Sequence, residues 1–463
     1  SMKGGGPFGW APGEWTDDTA MSVPLLDAAE RARRQGSDLL EHLDDVAVAW
    51  HRWAQDANDV GSQTRAVLTS AARPGPVTAA ALTAAARDRH ARVGRSGGNG
   101  SLMRTAPLAL AYLNDEASLA VVARRVSDLT HPDPDAGDAC VLWCAAIRHA
   151  VLVGQLNPRI GLPLLPAGRS SLWEDRIVEA EAHPSAWFEH NGWVVHAFQA
   201  AWSAIHHTLV PDLDLDQDSY PAQHLRRSLE TVVRAGGDTD TVAAIAGALL
   251  GAAWGASAVP AEWRRRVHGW PGLTGSDLAN RGLALALHLV DDSTWPLTAW
   301  VDYSSYGVDG LVVEHPHDSG VLLGDVAVLD ELPTGVDAVV SLCRVGTNQP
   351  AGIDSPQRIT VWLIDTSDPA ANPNLDFVLA DTADTIAALR GEGRTVLLHC
   401  VAAQSRTPTA AAAYAARHLG IDPAVALDQI TATLPNSHPN AAFREALTRL
   451  PSRRDALDAG GPR

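Results

Sequence analysis

The chain has 463 residues, 46% hydrophobic and 19% charged, which supports two or three globular domains with buried cores and excludes a disordered or fibrous chain. A formal net charge of −18, with Lys3 the single lysine, argues against a nucleic-acid or anionic-membrane partner held by bulk electrostatics. The cysteines Cys140, Cys144, Cys343 and Cys400 lack the spacing of a secreted disulfide framework, and neither an 18-residue apolar run nor a signal peptide is seen, so a reducing cytoplasm is expected.

Ser1 ahead of Met2 reads as a remnant of tag cleavage. From Asp17 to about Arg34 the pattern is helical, with acidic residues at its start and arginines at its end as the helix dipole favours, and Pro24 is expected to bend it. Helical periodicity recurs at about 39–55, 77–92, 105–125, 136–153, 171–182, 191–208 and 222–234. No period-2 strand precedes about residue 310, so the first part reads as all-α. In TVAAIAGALLGAAWGA, Gly247, Gly251 and Gly255 recur every four residues. A glycine costs about 1 kcal/mol against alanine inside a helix, so three in register predict a central helix approached closely by a neighbouring backbone. Residues 261–290 read as closing helices and 291–310 as a connection. Beyond it, apolar runs at 321–323, 338–342, 359–364 and 395–399 alternate with helical segments at about 325–333, 374–391, 407–418, 422–433 and 438–449. That alternation predicts a small α/β domain with a mostly parallel sheet, and the tail from Pro451 is expected to fray.

Two oxygen-rich stretches stand far apart in the first part: Thr16-Asp17-Asp18-Thr19, and GGDTDT from Gly236 to Thr241. Each puts carboxylates and a threonine hydroxyl at a helix start, a hard donor set suited to Mg²⁺ or Mn²⁺. Each is also, by itself, an ordinary N-capping sequence. Between them Gly97-Gly98-Asn99-Gly100-Ser101-Leu102-Met103-Arg104 forms a glycine-rich turn running into a helical pattern. In this order the motifs resemble the ADP-ribosylglycohydrolase family, which includes the enzyme that reactivates dinitrogenase reductase. The resemblance covers about residues 4–290 and rests on GEWTDDTAM, GNGSLMR, the Thr130-His131 pair and GGDTDTVAAIAGALLGA.

The resemblance implies an all-α domain that binds two Mg²⁺ ions, with Mn²⁺ as the other fitting ion, and hydrolyses the glycosidic bond between ADP-ribose and a side chain. Thr16, Asp17, Asp18, Asp238, Asp240 and Thr241 are then the metal ligands, with Asp17, Asp18 and Asp238 also catalytic. Gly98, Asn99, Gly100, Ser101 and His131 are the expected ADP-ribose contacts; for His131, followed by Pro132 and Asp133, a capping or loop role is the alternative. Metals would hold the ribose diol and polarise a water, and a ligand carboxylate would take its proton. Family members also carry an N-terminal helix with a Gly-Asp turn and a glutamate near the metals. Glu14 and Glu30 do not occupy that place in the pattern. The expectation is a start upstream of Met2, or a domain that has lost this helix and its carboxylate. Phe8, Trp10 and Trp193 are candidate adenine-stacking aromatics, with the core the expected place for each.

In the second part, residues 396–399 read as a buried strand ending at Cys400, with Arg406-Thr407-Pro408 opening an alanine-rich helix. A loop of backbone N–H groups between strand and helix binds a phosphate dianion, Arg406 can hold two of its oxygens, and Thr407 can donate to the sulfur. An ordinary buried cysteine is the alternative. The stretch resembles the HCxxxxxR loop of the dual-specificity and tyrosine phosphatases over about residues 311–450, with Leu322-Leu323-Gly324-Asp325 and Ser341-Leu342-Cys343-Arg344 included. The resemblance implies Cys400 as nucleophile and Arg406 as phosphate clamp. It also implies an aspartate about 31 to 32 residues upstream as general acid, which is Asp368, with Asp365 the alternative. Ala403 stands where glycine is usual, and Gln404 is a further departure.

The expected organisation is an ADP-ribosylglycohydrolase-like domain at 1–295, a linker at 296–310, and a dual-specificity phosphatase-like α/β domain at 311–463. The expected function is a bifunctional cytoplasmic hydrolase. One half would remove ADP-ribose from a protein side chain or small molecule. The other would cleave a phosphate monoester or phosphoprotein, with neither membrane nor nucleic acid as partner. The alternative is an ADP-ribose sensor with an incomplete glycohydrolase site, coupled to a phosphatase or phosphate-binding domain.

Overall fold

The computed structural model describes residues 2–6, 8–73 and 75–450; Ser1 and the tail from Pro451 lie outside the described residues. The chain divides into two compact units. The first comprises Ser1–Leu209, His224–Gly255 and Val267–Asp291, and the second comprises Val210–Gln223, Ala256–Arg266 and Asp292–Arg463.

The first unit is helical. Its central element is Pro134–Val153, apolar on all sides and started by Asp133, whose side chain accepts from the Asp135 N–H. Length and composition alone would let this helix cross a membrane, but 72% of its apolar window is buried inside the fold. Trp143 on this helix and Trp173 on Ala167–Ala182 each meet Phe198 of Val194–His207 edge-on at 5.0 Å. Burying side chains of this kind stabilises the unit by about 2–3 kcal/mol each. The indole of Trp143 also donates to the Ile245 carbonyl at 2.9 Å, tying the core to the helix Thr239–Trp254.

Several sequence expectations are corrected here. The helix expected from Asp17 is two helices, Asp17–Ala20 and Val23–Gln35, and Pro24 lies in the first turn of the second, where its missing N–H has no bond to break. The pattern at 105–125 is likewise split into Ala106–Ala111 and Glu116–Asp128, the latter begun by Asp115 capping the Ser118 N–H. A helix at Ser62–Ala71 had no expectation. A ribbon of two-residue strands, His268–Gly269 against Leu273–Thr274, precedes residue 310. The glycine stripe does not admit a neighbouring backbone. A Cβ on Gly247 would meet only Leu229 Cδ2 at 3.6 Å and one on Gly251 nothing within 4 Å, while Gly255 ends the helix at φ 77°.

The second unit is α/β. Its strands are β1 (Val312–His315), β2 (Asp318–Gly324), β3 (Ala338–Ser341), β4 (Arg358–Thr360) and β5 (Val396–His399), in the order β1-β2-β5-β3-β4. Only β1 and β2 are antiparallel; the other pairings are parallel. β5 is central and buried along its whole length, which explains its uninterrupted Val-Leu-Leu run. The helices Leu375–Gly391, Arg406–Leu419, Pro423–Thr433 and Ala441–Arg449 complete the unit. The helix expected at 325–333 is one 3₁₀ turn, Val326–Leu329, and the strand expected at 359–364 pairs only over β4. The two early segments are bonded into this unit: Arg417 donates to Asp218 Oδ2 at 2.8 Å, and Arg264 to the Thr360 carbonyl at 2.7 Å.

Candidate active sites

The two acidic motifs of the first unit meet. Neither acts as a simple cap: Thr16 and Asp238 occupy N-cap positions without a side-chain bond to the helix backbone. The Thr16 hydroxyl instead donates to Asp18 Oδ2 at 2.5 Å. Asp18 is buried, and its Oδ1 has no hydrogen-bond partner among the described residues. Burial is the main reason that Asp17 is pushed up to about 8, and the charges of Asp18, Asp59, Asp240 and Asp238 add to it. Asp18 is pushed up to about 7 by burial and by Asp240 and Asp238, against the hydrogen bond from Thr16 and the nearby Thr241 hydroxyl. Thr16, Asp17, Asp18, Asp238, Asp240 and Thr241 are therefore one cluster.

Asp59, which sequence reading missed, joins them. Its Oδ2 accepts the Asp17 N–H at 2.7 Å, and burial raises its pKa. It lies in the polar loop before Ser62–Ala71, where one aspartate among asparagine and glycine gives no signal. Glu30 is held by Arg281 at 2.8 Å, and Glu14 accepts the Ala11 N–H at 2.8 Å while its charge still reaches Asp59.

Like charges about 4 Å apart repel by about 4 kcal/mol at an effective dielectric of 20. The cluster resolves that repulsion by protonation or by a cation. An oxygen-only donor set with a buried, unpartnered carboxylate oxygen fits a hard divalent ion. Among the described residues no group of three His, Cys, Asp or Glu side chains stands ready to hold a metal ion.

Beside the cluster runs the glycine turn. Asn99 Nδ2 donates to Asp238 Oδ2 at 2.7 Å and to the Asn191 carbonyl at 2.8 Å. Asn191, also missed from sequence, accepts the Asp238 N–H at 2.9 Å, and a Cβ on Gly237 would stand 2.4 Å from its Oδ1. Gly237 therefore has to be glycine, both for this approach and for its φ of 74°. His131 is buried against the turn: a Cβ on Gly98 would lie 3.3 Å from its Nε2, and one on Gly100 3.1 Å from its Cε1. Ser101 points inward, its hydroxyl 3.0 Å from Ser127 Oγ and 3.6 Å from the Cys140 sulfur, so it belongs to the core. Phe8 and Trp193, expected in the core, are 47% and 40% exposed, and Trp193 pairs with Gly98 across an isolated bridge.

In the second unit β5 delivers Cys400, 2% exposed, to a loop that ends at the helix Arg406–Leu419. His399 bonds Ser341 Oγ at 2.7 Å, and burial lowers it to about 4, so the imidazole is neutral. Arg406 Nη1 is anchored to the Leu342 carbonyl at 2.7 Å, while its Nε is buried without a hydrogen-bond partner among the described residues, 3.8 Å from Asp365 Oδ2. Thr407 Oγ1 is likewise buried and unpartnered, so the expected bond to sulfur is not made. Asp365 accepts from Ser405 Oγ at 2.7 Å and Asn440 Nδ2 at 2.9 Å, against the loop. Asp368 is exposed and caps the turn Pro369–Ala371 through the Ala370 N–H at 3.0 Å. Ala403 takes φ 55°, the left-handed conformation that a glycine would adopt freely. Asp365, Gln404, Ser405, His438, Asn440 and Arg444 line a cleft beside the loop.

Comparison with known proteins matches residues 1–295 to the ADP-ribosylglycohydrolase family. The ADP-ribosylarginine hydrolase Tri1 of Pseudomonas putida (strain GB-1) is 28% identical over 282 residues, 58% of this chain and 66% of that protein. The chain thus spans just under two thirds of that relative. The ADP-ribosyl-(dinitrogen reductase) glycohydrolase of Rhodospirillum rubrum is 26% identical over 268 residues, 57% of this chain and 76% of that protein. The crystal structure of human DUSP28 is 22% identical, with a TM-score of 0.27 over 35% of this chain and 99% of its own. At that score the reading of the second unit stands on its own residues.

Proposed function

This chain belongs to the ADP-ribosylglycohydrolase family, and we propose that its first unit hydrolyses the bond joining ADP-ribose to a modified side chain or small molecule. The observation that carries this reading is the buried Asp18, its Oδ1 unpartnered, held against a second aspartate pair from 220 residues away in sequence. Thr16, Asp17, Asp18, Asp238, Asp240 and Thr241 would hold two Mg²⁺ or Mn²⁺ ions. Bound there, such ions supply positive charge for the ribose diol and acidify a water. Asn99 keeps Asp238 turned toward the cluster. Asp59, whose Oδ2 accepts the Asp17 N–H, would take the proton of the water that attacks C1″. The acceptor would leave as the glycosidic bond breaks, taking up the proton that the water gave to Asp59.

Calorimetric titration of ADP-ribose with and without Mg²⁺ tests this reading. Metal-dependent binding that Asp238→Asn abolishes is the expected result. Equal heats in parent and variant would sink the shared site.

For the second unit we propose phosphate monoester hydrolysis. Its support is the pair of buried, unpartnered donors, Arg406 Nε and Thr407 Oγ1, in the loop that holds Cys400. Cys400 would attack phosphorus, Asp365 would protonate the leaving alcohol, and water would then release phosphate from sulfur. Turnover of p-nitrophenyl phosphate lost in Cys400→Ser is expected; equal rates would remove Cys400 from catalysis. A substrate bearing both ADP-ribose and phosphate is compatible with the two sites.

A further inference from the structure

Arg104 closes the 3₁₀ turn Asn99–Arg104 and is fully buried, its guanidinium carbon 4.0 Å above the Trp50 ring. A buried arginine is ordinarily matched by a carboxylate. Here none lies in ion-pair distance among the described residues. Burial depresses the guanidinium to about 9, and Nε has no hydrogen-bond partner among the described residues. One strong contact remains: Nη2 donates to Thr130 Oγ1 at 2.6 Å, with a long bond to the Val126 carbonyl at 3.5 Å.

Thr130 Oγ1 in turn lies 2.7 Å from His131 Nδ1. An arginine has only protons to give, so the threonine oxygen accepts from it; the Thr130 hydroxyl proton has no acceptor among the described residues other than Nδ1, which is where it goes. The ring proton is then on Nε2. Burial disfavours the imidazolium, and the charges of Arg104 and Arg89 add to it. The His131 main chain is held as well: its backbone N–H donates to the Ser127 carbonyl at 2.7 Å, and Ser127 Oγ donates to the His131 backbone carbonyl at 3.1 Å. Nε2, facing Gly98 and Gly100, has no hydrogen-bond partner among the described residues.

We propose that Arg104 is a positioning residue. Through Thr130 it holds His131 as a neutral imidazole with its proton on Nε2, a fixed donor at the Gly98–Gly100 turn for an anionic oxygen of the ligand. The ligand half rests on the reading that ADP-ribose binds here, whose diphosphate supplies such an oxygen. A neutral donor discriminates by direction rather than by charge, which suits a turn a few residues from an acidic cluster.

The test uses the full chain labelled with ¹⁵N-histidine, the His131 signals being assigned by their loss in His131→Asn. Without ligand at pH 7, the parent should show an unprotonated Nδ1 and a protonated Nε2. Thr130→Val should mix the tautomers and weaken ADP-ribose about tenfold, the loss of one hydrogen bond to a charged group. Thr130→Ser should restore both within about twofold. Arg104→Met should also mix the tautomers; because that variant risks misfolding, the Thr130 pair decides. An Nδ1-protonated ring or an imidazolium in the parent overturns the proposal, and so does a Thr130→Val variant that keeps both tautomer and affinity. A parent that does not bind ADP-ribose overturns the ligand half, while the nitrogen pattern separately decides the Arg104-Thr130-His131 chain.

Discussion

Single positions carry the sharpest tests. Ala403 holds φ 55° inside a loop whose shape is a glycine's, and a left-handed alanine costs about 1 kcal/mol. Ala403→Gly is expected to be stability-neutral or to stabilise the second unit by up to about 1 kcal/mol, since relief of strain offsets the added freedom of the unfolded chain; denaturant melts measure it. Asp365 and Asp368 can likewise be told apart. With phenyl phosphate, whose leaving group needs a proton, Asp365→Asn should lower kcat by about 10²-fold and Asp368→Asn should leave it unchanged. The distance in sequence to Cys400 favoured Asp368, but a count of residues cannot see that Asp365 is the one bonded to the loop, through Ser405 Oγ at 2.7 Å, while Asp368 caps the Ala370 N–H. Asp59 and Asn191 were invisible for the related reason that each acts through a backbone amide far away in the chain, Asp17 and Asp238 respectively.

Elements were legible where one face or one strand carried a single kind of residue. β5 and the helix Thr239–Trp254 follow from unbroken apolar runs, and β2, β3 and the helix Leu375–Gly391 from alternation of short and long segments. Breaks were not legible. Met21-Ser22 interrupts a helical pattern without glycine, and β1, Val-Val-Glu-His, is too short to announce itself. The glycines of Thr239–Trp254 show how a periodicity can be correct while its reason is not. A methyl on Gly251 would meet nothing within 4 Å and one on Gly247 an ordinary contact with Leu229. Gly251→Ala is therefore expected to stabilise the protein by about 0.5–1 kcal/mol, read as a raised Tm, whereas a helix that needed a bare stripe would lose stability.

At the scale of the whole chain, acid should act on the second unit through Asp384. Arg417 at 2.7 Å and His418 at 2.7 Å hold its carboxyl well below the usual carboxylate range, although burial opposes them. The unfolded carboxyl titrates near about 4. The stabilisation is thus fully present above that pH and is lost as pH falls through it toward the folded value. Unfolding followed against pH should show Asp384→Asn less stable at neutral pH and converging on the parent in acid. The same unit predicts the fate of a fragment. Residues 296–463 expressed alone lack Asp218 and Arg264, and should melt earlier than a fragment begun at residue 210, as circular dichroism would record.

That interleaving has a hereditary side. The second unit takes in Val210–Gln223 and Ala256–Arg266 from within the stretch that carries the first. A gene broken once between the two would give one product carrying orphaned segments and another without them. Recombination can add or drop a domain that hangs by a linker, whereas a single break here parts Val210–Gln223 and Ala256–Arg266 from the unit they pack in.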